Sequence, residues 1–317
     1  MMKNNMLYQI IRTARPRQWL KNLSLFAAVV FSGRLFIPTV FVSVIHAFIA
    51  FSVLASGIYF LNDIVDIEKD KKHPIKSNRP IASGKLSLKA AKLMCLLLVS
   101  FALFYAFTFV GSYFSYILIA YVLIQLSYSF YFRNIIILDS LIVASGFIIR
   151  VIAGGLASET SVSSWLILTT IGISLLLAFG KRRSEKTILA KFLGSSAAST
   201  TRQTLRHYPD NLLDSMISMA ASYTLLTYSL FTFQDSPQIV SDKWGSFLPS
   251  ILRSPKWMML TIPLVIYGVA RYLYVIYEKG EGESPERALL NDKPLFFTVL
   301  LWILVILTIL YVIPLLG

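Results

Sequence analysis

The amino-acid sequence predicts an all-α fold: a polytopic membrane bundle of about nine transmembrane helices with a cytoplasmic cap. Two observations lead to it. The 317 residues are 56% hydrophobic with a mean hydropathy of +0.67, too apolar for a soluble domain. Apolar windows long enough to span a bilayer recur along the whole chain, while Lys and Arg collect between them and give a net charge of +14.

Taken in order, the expected spans are 18–34, 39–61, 88–109, 113–131, 135–156, 163–180, 210–233, 257–277 and 294–315. In the first, Lys21 interrupts the start, and Gly33, Arg34 and Pro38 mark the turn that follows. The loops after the second and sixth spans, 62–87 and 181–209, occupy corresponding places and hint at a duplicated helical unit. The N-terminus lacks the uninterrupted apolar region and cleavage site of a signal peptide, so it is expected to stay attached. Cys95 is the one cysteine, which excludes an intrachain disulfide and a cysteine metal cluster.

The positive charge is not of the nucleic-acid kind, since there is no long basic tail and no nucleic-acid motif. It sorts by side instead. The N-terminal segment, the loops around residues 62–87 and 181–206, Arg133 and the loop at 278–293 fall on one face, whereas Arg34, Lys243, Arg253 and Lys256 fall on the other. The cation-rich face is therefore expected in the cytoplasm, with the protein in the inner membrane.

The stretch Leu61 to Ser87 is the richest in chemistry. Asp63, Asp66 and Asp70 stand at i, i+3 and i+7, one face of a helix end, with the amide of Asn62 beside them. Mg²⁺ prefers such oxygen ligands and binds through one or two carboxylates plus substrate phosphates. Lys76, Arg79 and Lys85 follow within a turn set built on Pro74, Pro80 and Gly84, where cations can meet a diphosphate. A solvated, charge-mixed loop is the plainer alternative.

Other motifs are read more openly. "GKRRSEK" (Gly180 to Lys186) offers Lys181, Arg182 and Arg183 to phosphates, or anchors topology. Asp210 and Asp214, at i and i+4, could hold a second Mg²⁺, and Asp214 begins a spanning helix where an unpaired carboxylate is costly. "RPRQWLKN", which joins Arg15, Arg17 and Lys21 to Trp19, is an interfacial anchor or a lipid-phosphate site. Arg150, within an apolar run, is read as structural, and Asp139, eleven residues earlier, as a site residue that is too far away to pair with it. His46 is expected to be packed and hydrogen-bonded; neither His73 nor His207 has a zinc spacing. Pro285 and Glu286 are expected to begin a short interfacial helix.

"NDIVDIEKD" with "RPIASGKLS" resembles the first aspartate-rich motif of the UbiA superfamily of intramembrane prenyltransferases. "RPRQWLKN", "DKKHPIKSNRPIASG", "YSFYFRN" with "LDSLIVASGFIIRVIAGG", "GKRRSE" and "SPERALLNDKPL" resemble its decaprenyl-phosphate phosphoribosyltransferase branch over nearly the whole chain. The resemblance implies a single UbiA-like domain, 1–317, with a Mg²⁺-dependent site facing the cytoplasm. It implies transfer of 5-phosphoribose from phosphoribosyl pyrophosphate (PRPP) to a polyprenyl phosphate, with release of diphosphate. Asn62, Asp63, Asp66 and Asp70 match its metal and diphosphate motif, and Lys76, Arg79, Lys181, Arg182 and Glu185 match polar positions around the donor. The second loop departs from the regular aspartate repeat of aromatic prenyltransferases. An aromatic prenyltransferase is the runner-up, and a secondary transporter is disfavoured because the acids cluster at one edge. Oligomerisation is left open.

Overall fold

A computed structural model describes residues 5–72, 75–197, 208–234, 256–279 and 284–316. Among these every regular element is helical. In chain order they are α1 (Met6–Ala14), a 3₁₀ segment (Pro16–Phe26) running into α2 (Ala27–Phe31), α3 (Pro38–Val65), α4 (Ile67–Lys71), α5 (Leu88–Phe109), α6 (Ser112–Phe130), α7 (Leu138–Ala157), α8 (Ser164–Ala197), α9 (Asp210–Gln234), α10 (Ile262–Tyr274), α11 (Pro285–Asn291), α12 (Lys293–Leu307) and α13 (Ile313–Leu316). Among the described residues eight helical stretches are long and apolar enough to cross a membrane, α10 and α12 being extended by flanking 3₁₀ or π turns into the spans Trp257–Lys279 and Lys293–Leu315, and the chain is an integral membrane protein.

The expected first span is the one that differs. Its chain is 3₁₀ before it is α, with Lys21 and Asn22 turned into the bundle, and no eighteen-residue apolar helix forms there. The stretch nonetheless reaches about 30 Å at 3₁₀ and α rises. It lies against α7, where Gly154 makes the approach possible: a Cβ there would sit 1.8 Å from the Leu25 carbonyl oxygen.

Two apolar cores flank α7. One joins α3, α5 and α6 through Phe51, Leu54, Ala102 and Leu118; the other joins α8, α9, α10 and α11 through Phe179, Ile217, Val269 and Ala288. The expected loop at 181–209 is the second departure, because α8 continues through "GKRRSEK" to Ala197. Lys, Arg, Glu, Ala and Leu are good helix formers with no Pro to stop them. At about 51 Å, α8 outruns the hydrocarbon core and presents that motif beyond it.

Arg150 is structural, as expected. Its Nε donates to Asn22 Oδ1 at 2.7 Å, its Nη1 to the Gly146 carbonyl at 2.6 Å and its Nη2 to Tyr121 at 3.2 Å, with the Phe51 ring beneath it. His46 is also as expected, sharing a 2.6 Å hydrogen bond with Tyr105 and stacking on Phe109. Cys95 is half-buried beside the apolar cluster of Phe60 and Ile81. His73, Pro74 and His207 lie outside the described residues.

Candidate active site

The aspartate motif sits where α3 ends. Asp66 caps α3 with φ −93° and ψ 4° and α4 begins directly after it, and Asp63, Asp66 and Asp70 all act on one guanidinium, that of Arg79. Asp63 and Asp70 stay together: Arg79 Nη1 donates to Asp63 at 3.0 Å and to Asp70 at 2.6 Å. Arg15, held in the left-handed region at φ 52°, forms an ion pair with Asp63 from the N-terminal segment. Asp66 turns instead to Arg133, and Asn62 accepts a 2.8 Å hydrogen bond from Ser129. Gly84, at φ 74°, closes the turn that returns Lys85 and Leu86 to α5.

Asp63 and Asp70 are buried, and each arginine keeps part of its surface exposed. Burial pushes the Asp70 carboxyl above its ordinary range despite Arg79. Burial also disfavours the Arg79 charge, but Asp63 and Asp70 outweigh it and raise the guanidinium further. Among the described residues no three His, Cys, Asp or Glu side chains converge on one point. The donor set still fits Mg²⁺: all its atoms are hard oxygens, one guanidinium nitrogen touches both Asp63 and Asp70, and Mg²⁺ needs only one or two carboxylates when phosphates supply the rest. Lys76 is half-buried in the adjoining 3₁₀ turn.

The second motif is arranged the other way round. Arg182 is 1% exposed and is held between Asp139, an ion pair at 2.6 Å without hydrogen-bond alignment, and Glu185 at 2.8 Å; its Nη2 donates to Tyr128 at 3.1 Å. Tyr208 donates to Asp139 at 2.6 Å, and burial together with that bond pushes its phenol up to about 12. Arg182 is thus committed to protein partners rather than turned to a phosphate. Lys181 is half-buried. Asp210 and Asp214 face outward and pair with cations, Asp210 with Lys186 at 3.0 Å and Asp214 with Arg183 at 2.9 Å, and Tyr277 donates to Asp214 at 3.0 Å.

The end of α6 ties the motifs together. Adjacent residues Tyr128 and Ser129 reach Arg182 and Asn62, and Arg133 reaches Asp66. Both motifs therefore occupy one end of the bundle.

Beside them is a cavity of about 420 Å³ lined by α8, α9, α10, α11, α12 and the N-terminal segment. Its lining is apolar from Phe31 and Trp302 to Leu176, and the side chains of Lys21, Glu286 and Tyr272 supply charge and a hydroxyl. α11 forms at Pro285 as expected, but Glu286 is buried and faces Lys21 at 3.4 Å instead of lying at an interface. Asp292 fixes that turn: Arg271 and Lys279 hold its carboxyl well below the usual carboxylate range. Cavity and aspartates are contiguous. Lys21 donates to Gln18 at 2.6 Å, Gln18 accepts from Tyr59 at 3.4 Å, and Arg15 lies over the Tyr59 ring on its way to Asp63. Arg17, by contrast, is exposed.

Tyr128, Tyr208, Tyr272 and Glu286 are what sequence reasoning missed at this end of the bundle, and Arg15, read there toward a lipid phosphate, pairs with Asp63 instead. Arg15 and Glu286 stand in motifs already noted, and an ionisable residue beside a membrane span with no local partner was the available signal.

Residues 23–185, just over half the chain, match the UbiA prenyltransferase family, and that stretch contains the aspartate motif. The chain belongs to the UbiA prenyltransferase family. It is 31% identical to a decaprenyl-phosphate phosphoribosyltransferase of Corynebacterium glutamicum, over 98% of this chain and 89% of the relative. It is also 31% identical to that of Mycolicibacterium smegmatis, over 94% and 91%. Among solved structures, a UbiA homolog from Archaeoglobus fulgidus bound to DMAPP and Mg²⁺ superposes with a TM-score of 0.66 at 17% identity, covering 96% of this chain and 99% of the other. That likeness establishes the fold, a UbiA-type intramembrane bundle.

Proposed function

We propose that this UbiA protein transfers 5-phosphoribose from PRPP to a polyprenyl phosphate and releases diphosphate. The observation that carries the reading is the pairing of two adjoining anion-handling sites, an arginine-capped aspartate cluster and a charged head on an apolar cavity. A phosphorylated sugar donor and a lipid phosphate require both. The near full-length likeness to decaprenyl-phosphate phosphoribosyltransferases supports the same substrates.

Asp63, Asp66 and Asp70, with Asn62 beside them, would hold Mg²⁺, which supplies charge neutralisation for the departing diphosphate. Arg15, Arg79, Arg133 and Lys76 surround the donor's phosphates, and Lys181 approaches from α8. With the metal held by the acids, Arg15 and Arg79 would be free to meet phosphate oxygens, so that neither charge would be left buried alone. The C1–O bond breaks with positive charge on ribose, and an oxygen of the lipid phosphate attacks. Lys21 receives that phosphate at the head of the cavity, and the apolar lining takes the isoprenoid chain. Arg182, Asp139 and Glu185 position the α6–α8 frame around the donor. Asp214, paired at the surface with Arg183, is left outside the metal set in this scheme. The cation-rich end faces the cytoplasm of a cell with this protein in its inner membrane, where a soluble phosphorylated donor is present.

Purified protein is given Mg²⁺, labelled PRPP and polyprenyl phosphate, beside a mixture of labelled prenyl diphosphate and an aromatic acid. Label is expected in lipid from the first mixture. Product from the second alone identifies an aromatic prenyltransferase. In a Cys95→Ser background, Lys72→Cys and Lys186→Cys should react with an impermeant reagent from the cytoplasmic side only; labelling from opposite sides contradicts a shared site.

A further inference from the structure

Glu286 and Tyr272 are both 6% exposed and both line the cavity; the Tyr272 hydroxyl makes no hydrogen bond within the protein, and Glu286 Oε2 meets Lys21 Nζ at 3.4 Å without hydrogen-bond alignment. A buried hydroxyl left unpaired costs stability, and is retained where it meets a ligand. Lys21 stands 3.4 Å from Glu286 and is steadied by Gln18. An anionic headgroup at Lys21 would therefore lie against a carboxylate. Two anions at that distance repel unless a proton is shared between them.

We propose that Glu286 is the proton acceptor for the lipid phosphate, so that the cavity takes its acceptor as the monoanion, with Tyr272 donating to a phosphate oxygen. The inference rests on the phosphoribosyl-transfer reading above. In the step, a phosphate oxygen forms the new bond to ribose C1 and the C1–O bond to diphosphate breaks, its electron pair leaving with diphosphate. The proton of the P–OH group passes to the Glu286 carboxylate and then to solvent. The product is a phosphodiester. The titratable groups facing Glu286 are Lys21 from the N-terminal segment, Tyr272 from α10 and Tyr59 from α3, and Arg150 of α7 acts on Lys21 from behind.

The test is the pH profile of kcat/KM for polyprenyl phosphate, with wild-type and Glu286→Gln protein in detergent and saturating PRPP. A phosphate monoester loses its second proton near pH 6. With the carboxylate present, kcat/KM is expected to fall about tenfold per pH unit above that ionisation, because the dianion meets Glu286. The amide of Glu286→Gln neither takes the proton nor repels the dianion. Its profile should therefore reverse, falling by about tenfold per unit below the same ionisation and reaching its best values on the alkaline side, with KM for PRPP within about threefold of wild type. Tyr272→Phe should raise acceptor KM about tenfold without moving the profile.

A Glu286→Gln profile parallel to wild type and merely lower would make Glu286 structural and overturn the inference. The wild-type profile alone also decides it, should that variant not fold: kcat/KM rising above the second ionisation overturns it. Absence of product from wild type at every pH would instead remove the phosphoribosyl-transfer reading itself.

Discussion

In the aspartate motif Asp63 and Asp70 are sequestered beneath partly exposed arginines; in the α8 motif Arg182 is sequestered together with its own acids, Asp139 and Glu185, while Asp210 and Asp214 look outward. Asp63 and Asp70 are 2% and 4% exposed beneath half-exposed Arg15 and Arg79, whereas Arg182 is 1% exposed and Asp210 and Asp214 stand in solvent at 53% and 38%. Buried acids with reachable cations can exchange partners when a metal diphosphate arrives. A buried arginine between two carboxylates cannot, since removing either side leaves a charge in low dielectric. On the proposed function the two motifs would divide their work, the first handling the donor and the second holding the frame around it.

The largest break in this contrast is Asp63→Asn. It preserves size but removes the charge that pairs with Arg15 and Arg79 and that would bind the proposed metal, so turnover should fall by about 10²- to 10³-fold while the protein still inserts. Near-normal turnover across a Mg²⁺ titration would dissolve the distinction between the motifs.

Arg182→Gln should act on stability first. Leaving Asp139 and Glu185 without their partner should cost about 3–5 kcal/mol, read as a lowered midpoint of thermal unfolding in detergent, with PRPP KM nearly unchanged in the folded fraction. Lys181→Gln, one residue away, should do the reverse, raising PRPP KM about ten- to a hundredfold through a lost charge-assisted contact of about 1.5–3 kcal/mol. If both variants behave alike, burial does not separate the two roles.

The smallest effect is expected for Asp214→Asn. Its pairs are exposed and worth about 0–1 kcal/mol, so turnover should change by less than about threefold. A loss as deep as that of Asp63→Asn would make the α8 side a second metal site.

The fold was legible because lipid imposes a strict rule: backbone groups must be satisfied within a helix, so apolar length reports spans directly. Helices α5, α6, α7 and α9 follow the expected windows within a few residues. The N-terminal segment escaped that rule, since hydropathy does not distinguish a 3₁₀ chain from an α-helix and Lys21 and Asn22 find buried partners. The acids of the site were legible by type and spacing. Their partners were not, because Arg15 and Arg133 reach Asp63 and Asp66 across 48 and 67 residues, separations set by packing alone. Glu286 was hidden for the same reason: a first-turn glutamate after Pro285 looks like ordinary helix initiation until its neighbours across the bundle are seen.

The most direct test of the central claim follows both halves of the donor at once. PRPP labelled separately in ribose and in its terminal phosphate is supplied with Mg²⁺ and polyprenyl phosphate to the purified protein. Ribose label should enter the lipid while an equal amount of terminal-phosphate label appears as free diphosphate, and both should vanish in Asp63→Asn. Transfer of the terminal phosphate to lipid, or release of diphosphate without ribose in the lipid, would contradict phosphoribosyl transfer.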